Sequence, residues 1–220
     1  MNNLDNVMQN AEAAAANFVP AANLPVQAQT PQNAVAPHRP TLDDMSENSG
    51  ILVDEYILSK PEGLKISRDM KGLLDSFDVI IDMTEVCPIK QVRANSGGNT
   101  TFVKSYDGVT TDTGANLYAE IDRLTRSHEK VDGPYNSVEI PVTLMNDVKD
   151  PKSTLSFPKG TELGYTPSMT GYKEFERFMK AVKKSGRNLQ ETLNVRLHAE
   201  KKTNANNNEW GVIRFELLAD

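Results

Sequence analysis

From residue 170 to the end of the chain the apolar residues change period once, from that of a helix to that of a strand, and this change constrains the fold more than any other feature. Phe175, Phe178, Met179 and Val182 recur at i, i+3, i+4 and i+7, which predicts an amphipathic helix over 172–184. Thr170 is placed to cap it, Glu174 and Glu176 lie in its first turns, Lys180, Lys183 and Lys184 lie near its last, and Gly186 supplies the stop. Two strands follow, 193–202 and 210–218, joined by an Asn-rich turn that tolerates left-handed backbone. Leu193, Val195, Leu197 and Ala199 face inward on the first, Ile213, Phe215 and Leu217 on the second. That leaves Trp210 on the outer face with Val212, Arg214 and Glu216, where an indole needs a reason.

The first 40 residues have the opposite character. They are Ala, Asn, Gln and Pro with scattered aliphatics, and Asp5, Glu12 and Arg39 are their only charges, so little apolar surface is available to offset chain entropy. Residues 1–48 are therefore expected to be a disordered tail and linker, and 49–220 a single β-rich domain. A short helix over 4–18 could form on Asn3 as cap and the AEAAAAN run, ended by Pro20, with Leu4, Val7 and Phe18 as contacts for a protein partner. The start lacks the basic and apolar regions of a signal peptide, and no apolar run approaches bilayer length. Cys87 is the single cysteine, which rules out an internal disulfide and fits a reducing compartment. The expectation is a cytoplasmic protein, in the host cytoplasm if viral, with no membrane association.

Between tail and helix the chain reads as strands. ILVDEYIL at 51–58 predicts one, and Pro61-Glu62-Gly63 turns the chain. Phe77, Val79, Ile81 and Met83 alternate on a second, and residues 86–107 form a hairpin turning at 95–99. Leu117, Ile121 and Leu124 mark a short helix over 116–126, and SHEKVDGP reads as a loop. A strand over 137–145 carries Pro141, which argues for an edge or a bulge. A long irregular connection over 146–171 holds a short strand at 154–157. Strand regions, a helix, then two strands is the order of an OB-fold, so the predicted class is mainly β (α+β), an OB-like Greek-key barrel with one well-defined helix before the C-terminal hairpin.

No catalytic motif is present: HExxH, GxSxG, Walker A and GxGxxG are all missing, and His38, His128 and His198 are widely separated. Asp78 and Asp82 share a strand face about 13 Å apart, too far to hold one Mg²⁺. The expectation is a protein that is not an enzyme and uses no cofactor or metal. What remains is basic and aromatic interleaving. Of the chain's 30 acids and 24 bases, residues 1–50 hold five and one, leaving 25 against 23. Within that near-neutral domain, residues 173–202 hold nine bases against four acids. Placed on one barrel face, Phe102, Tyr106 and Trp210 could stack bases while Lys90, Arg93, Lys104, Arg196, Lys202 and Arg214 contact phosphates, as in single-strand binders.

The hairpin VRLHAEKKTNANNNEWGVIRFELLAD, with its basic strand, polar Asn-rich turn and aromatic-Gly strand, resembles the terminal hairpin of single-stranded-DNA-binding proteins of tailed bacteriophages. The resemblance implies binding of single-stranded DNA, with RNA as the chemical alternative, in support of DNA replication or recombination. Such proteins often end in an acidic tail that recruits partners. Here the sequence ends at Glu216-Leu217-Leu218-Ala219-Asp220, so the expectation is that this role is either lacking or carried by the N-terminal tail. The competing expectation is a structural or interaction protein, a virion component or an inhibitor of a host protein, docking through that tail. The sequence leaves the oligomeric state open.

Overall fold

The structure is a computed structural model that describes residue 51 and residues 53–219. The expected tail at 1–48, with Leu4, Val7 and Phe18, lies outside the described residues. In chain order the elements are β1 (Leu58–Lys60), β2 (Gly63–Lys65), β3 (Ser76–Asp82), β4 (Cys87–Ser96), β5 (Asn99–Ser105), α1 (Leu117–Ser127), β6 (Lys130–Leu144), β7 (Val148–Lys149), β8 (Ser156–Phe157), β9 (Glu162–Tyr165), α2 (Met169–Lys184), β10 (Thr192–Thr203) and β11 (Glu209–Leu217). Among the described residues the fold is mainly β with two helices, and every strand pair is antiparallel. No helix among the described residues is long and apolar enough to cross a membrane.

The main sheet runs β11-β10-β3-β6-β4-β5, with β9 also on β6. It remains open, which corrects the expectation of a closed barrel. The segment 55–60 lies where a closing pair would be. Ile57 N–H donates to Gly164 O and Gly164 N–H to Glu55 O on the β9 side, while Ser59 Oγ donates to Gly211 O of β11. Lys60 comes so near that a Cβ at Gly211 would stand 2.2 Å from its carbonyl oxygen, so only glycine fits at that position. The predicted strand at 51–58 is thus mostly a packed segment, with a single bridge from Tyr56 to Gly164 before β1.

β6 is the spine of the molecule. Its first part, Lys130 to Glu139, pairs with β4, and its last, Thr143 and Leu144, pairs with β3. Pro141, which has no N–H to give, sits where the strand passes from one neighbour to the other. The expected loop at 127–134 is largely strand instead. Pairing with β4 outweighs its turn-prone composition, and the register slips between Gln91 and Arg93 opposite the Gly133-Pro134 step.

α2 begins three residues earlier than its pattern predicts, and Ser168, not Thr170, caps it by accepting from Gly171 N–H. Glu174 and Glu176 therefore fall beyond the first turn. Its buried face carries Phe175, Phe178 and Val182 against Phe215 of β11, and Phe178 stacks on Phe215 at 5.4 Å between centroids. With Val79, Ile81, Ile140, Leu193, Val195 and Leu197 these form the main core. A second, small core holds Val92, Ala94 and Val103 of β4 and β5 against Leu117 and Leu124 of α1.

Candidate nucleic-acid interface

β4, β5 and the first part of β6 form a three-stranded lobe. Because side chains alternate along a strand, Val92, Ala94 and Val103 turn to α1 and their neighbours turn the other way. Register places Arg93 between Phe102 on β5 and Asp132 on β6, and Gln91 between Lys104 and Tyr135. Phe102 is 48% exposed, and the adjacent Arg93 is exposed and makes no ion pair among the described residues. Asp132 is held by Lys130 at 3.2 Å. The Tyr135 hydroxyl donates to Gln91 Oε1 at 3.0 Å. Burial pushes its pKa up to about 12, Arg93 pulling it down and Asp132 up, so it stays a neutral donor. Lys90 belongs to the other face, two residues before Val92, where its Nζ donates to Asn136 Oδ1 at 2.5 Å.

Deeper on the open face the expected site residues have a different occupation. Lys104 forms an ion pair with Glu139, which is 1% exposed, and lies 5.4 Å from the centre of the Tyr56 ring. The Tyr106 hydroxyl donates to Glu139 Oε2 at 2.9 Å, and Ile51 N–H donates to the same oxygen at 3.3 Å. Burial, followed by the charge and hydrogen bond of Glu139, raises the Tyr106 pKa far above a phenol's ordinary value. Lys104 and Tyr106 thus satisfy a buried carboxylate, and Ile51 and Tyr56 are tied to the lobe through Glu139 and Lys104.

The terminal hairpin supplies the other candidates. Arg196 with Glu216, His198 with Arg214, Glu200 with Val212 and Lys202 with Trp210 are cross-strand pairs, so Arg196, Lys202, Trp210 and Arg214 share a face. Arg196 grips Asp78 with two hydrogen bonds of 2.6 and 2.9 Å, which hold the Asp78 carboxyl below its usual range. Lys202 pairs with Glu200 at 2.6 Å and Glu174 at 3.2 Å. Arg214 is exposed and has no ion pair among the described residues. Trp210 is half-buried, and its Nε1 is enclosed without a hydrogen-bond partner among the described residues. Register sets it opposite Lys202.

The structure brings Arg93, Phe102 and Lys104 onto one surface and Arg196, Lys202, Trp210 and Arg214 onto another. The two hairpins stand at opposite ends of the sheet order, and no hydrogen bond or ion pair among the described residues joins them. Tyr135 is the site residue that sequence reasoning missed. The alternation of Val138, Ile140, Val142 and Leu144, carried backwards, would have put Tyr135, Ser137 and Glu139 together on the opposite face. Among the described residues no three His, Cys, Asp or Glu side chains cluster, and Asp82 is engaged by Thr84. No protein family, curated protein or solved structure matches the chain.

Proposed function

We propose that this protein binds single-stranded nucleic acid without catalysing a reaction, DNA in replication or recombination being the use its chemistry suits. The observation that carries the reading is the pairing of exposed Phe102 with an uncommitted Arg93 on the lobe face that α1 leaves open. An aromatic ring offers a platform to any base and the guanidinium reaches a phosphate, so binding is tolerant of sequence and weakened by salt. Tyr135, one strand beyond Arg93, adds a second ring roughly 10 Å away across the sheet.

The order of elements supports the same reading. Taking β3, β6 and β9, then α2, then β10 and β11, as the five strands and helix of an OB-fold makes this an opened version with β4, β5 and α1 inserted in the first connection. OB-folds bind oligonucleotides through the second and third strands and through the first and last connections. On this mapping the lobe is the first connection and the Asn-rich turn at 204–208 is the last. Arg93, Phe102 and Arg214 are the expected contacts, with Trp210 as reporter; Lys104, Arg196 and Lys202 act by holding the scaffold.

Titrating the full chain with labelled oligo(dT) tests this. A complex at low salt that loosens steeply as salt rises, with a change in Trp210 fluorescence, is expected. No complex at low salt overturns it.

A further inference from the structure

Four of the cationic side chains that the candidate interface leaves aside are aligned on one helix. Lys173, Arg177, Lys180 and Lys184 follow one another at i, i+4, i+7 and i+11 along α2, so they form one stripe about 16 Å long. All four are exposed, and they lie opposite Phe175, Phe178 and Val182.

A solvated helix face ordinarily mixes signs, because like charges three and four residues apart repel. Of the two carboxylates of α2, Glu174 is buried and accepts from Arg177 and Lys202, and Glu176 flanks the stripe between Lys173 and Lys180 without an ion pair among the described residues. Lys173, Lys180 and Lys184 make no ion pair among the described residues either. The helix dipole explains Lys184 in the last turn but opposes Lys173 near the start.

The stripe continues onto the sheet. A cavity of about 370 Å³ between α2 and the terminal hairpin is lined by Glu174, Arg177, Phe178 and Ala181 on the helix side and by Glu200, Arg214 and Phe215 on the strand side. Glu200 is already matched by Lys202, which leaves the Arg214 guanidinium with its donors unspent at the cavity wall.

We propose that this face of α2, continued by Arg214, is a phosphate-binding track for the nucleic-acid backbone, separate from the aromatic face of the lobe. It rests on the reading of the protein as a nucleic-acid binder. The occupant follows from charge: four cations in a stripe, with Arg214 beside Arg177, on a domain whose net charge is only slightly negative suit a polyanion whose phosphates also recur in a line. The track has no aromatic platform, so it contributes affinity and salt dependence without base preference.

The test is the binding of oligo(dT) to the full chain over a salt series, with thermal melting alongside. Lys173→Gln, Lys180→Gln and Lys184→Gln are combined in one variant and Arg214→Gln is made separately. Removing one phosphate-binding cation should lower the slope of log K against log salt by about 0.7, so the triple variant should fall by about 2 and the single by about 0.7. Melting should change little, because all four residues are exposed and none makes an ion pair among the described residues. Phe102→Ala serves as the contrast, weakening binding at an unchanged slope. A triple-variant slope equal to that of the unmodified protein overturns the track and leaves the lobe site standing. Failure of the unmodified protein to bind at any salt overturns both.

Discussion

The lobe of β4, β5 and α1 and the body of β3, β10, β11 and α2 use the same antiparallel ladder, but they bury their faces differently. In the body, Leu193, Val195 and Leu197 are sealed into the main core, and even outer-face Val212 is fully buried. In the lobe, α1 covers one face over a core of five buried side chains, and the other face keeps Phe102 and Arg93 in the open. The same ladder is sealed where packing covers both its faces and turns to solvent where part of one face is left uncovered.

Truncating each region should separate these roles. Phe175→Ala removes a fully buried ring from its packing with Phe178 and Phe215 and should cost about 3–5 kcal/mol, read as a large drop in melting temperature. Leu124→Ala empties the centre of the small core and should cost about 2–3 kcal/mol. Its mark should be regional: amide exchange should quicken in α1, β4 and β5 before it does in β10. If both regions lose protection together, the lobe and body are one cooperative unit and the contrast between them fails.

Phe102→Ala addresses the open face. It should leave melting unchanged and weaken oligonucleotide binding by about 1–3 kcal/mol, roughly 5- to 150-fold. A fall in melting temperature instead would give the ring a packing role.

The smallest effect is acidic. Asp107 accepts from Val109 N–H and Thr110 N–H and from Ser105 Oγ, and the backbone donors hold its carboxyl down to about 2. Asp78 is lowered by Arg196. A carboxyl whose folded value lies below its unfolded value near 3.8 stabilises fully above that value and loses the effect as pH falls through the folded one. Stability should therefore fall between about pH 4 and pH 2. Asp107→Asn should flatten that limb for the lobe, and Asp78→Asn should flatten it for the body; melting followed at several pH values distinguishes them.

The elements legible in the sequence were those whose pattern is local. The apolar stripe of α2, the alternation of Phe77, Val79 and Ile81, and the inward sets of β10 and β11 all stand as read, because helix and strand periods are written into neighbouring residues. The first half of β6 was not legible. Its glycine and proline argue for a loop, and only pairing with β4, some 40 residues earlier, makes it a strand.

The candidate site divides in the same way. Composition alone could place aromatic and basic residues on the 86–107 and terminal hairpins. It could not say which cations were already spent. Lys104 meets Glu139 35 residues away, and Arg196 meets Asp78 118 residues away. Phe102 and Tyr106 come from one short stretch, yet one ring is open and the other is tied to a buried carboxylate. The sequence by itself determined the periods, the turns and the chain's stock of charge, since each depends on residues within a few positions of one another. The tertiary structure decided which faces stay uncovered and which charges stay unpaired, because those depend on segments that meet only when the sheet assembles.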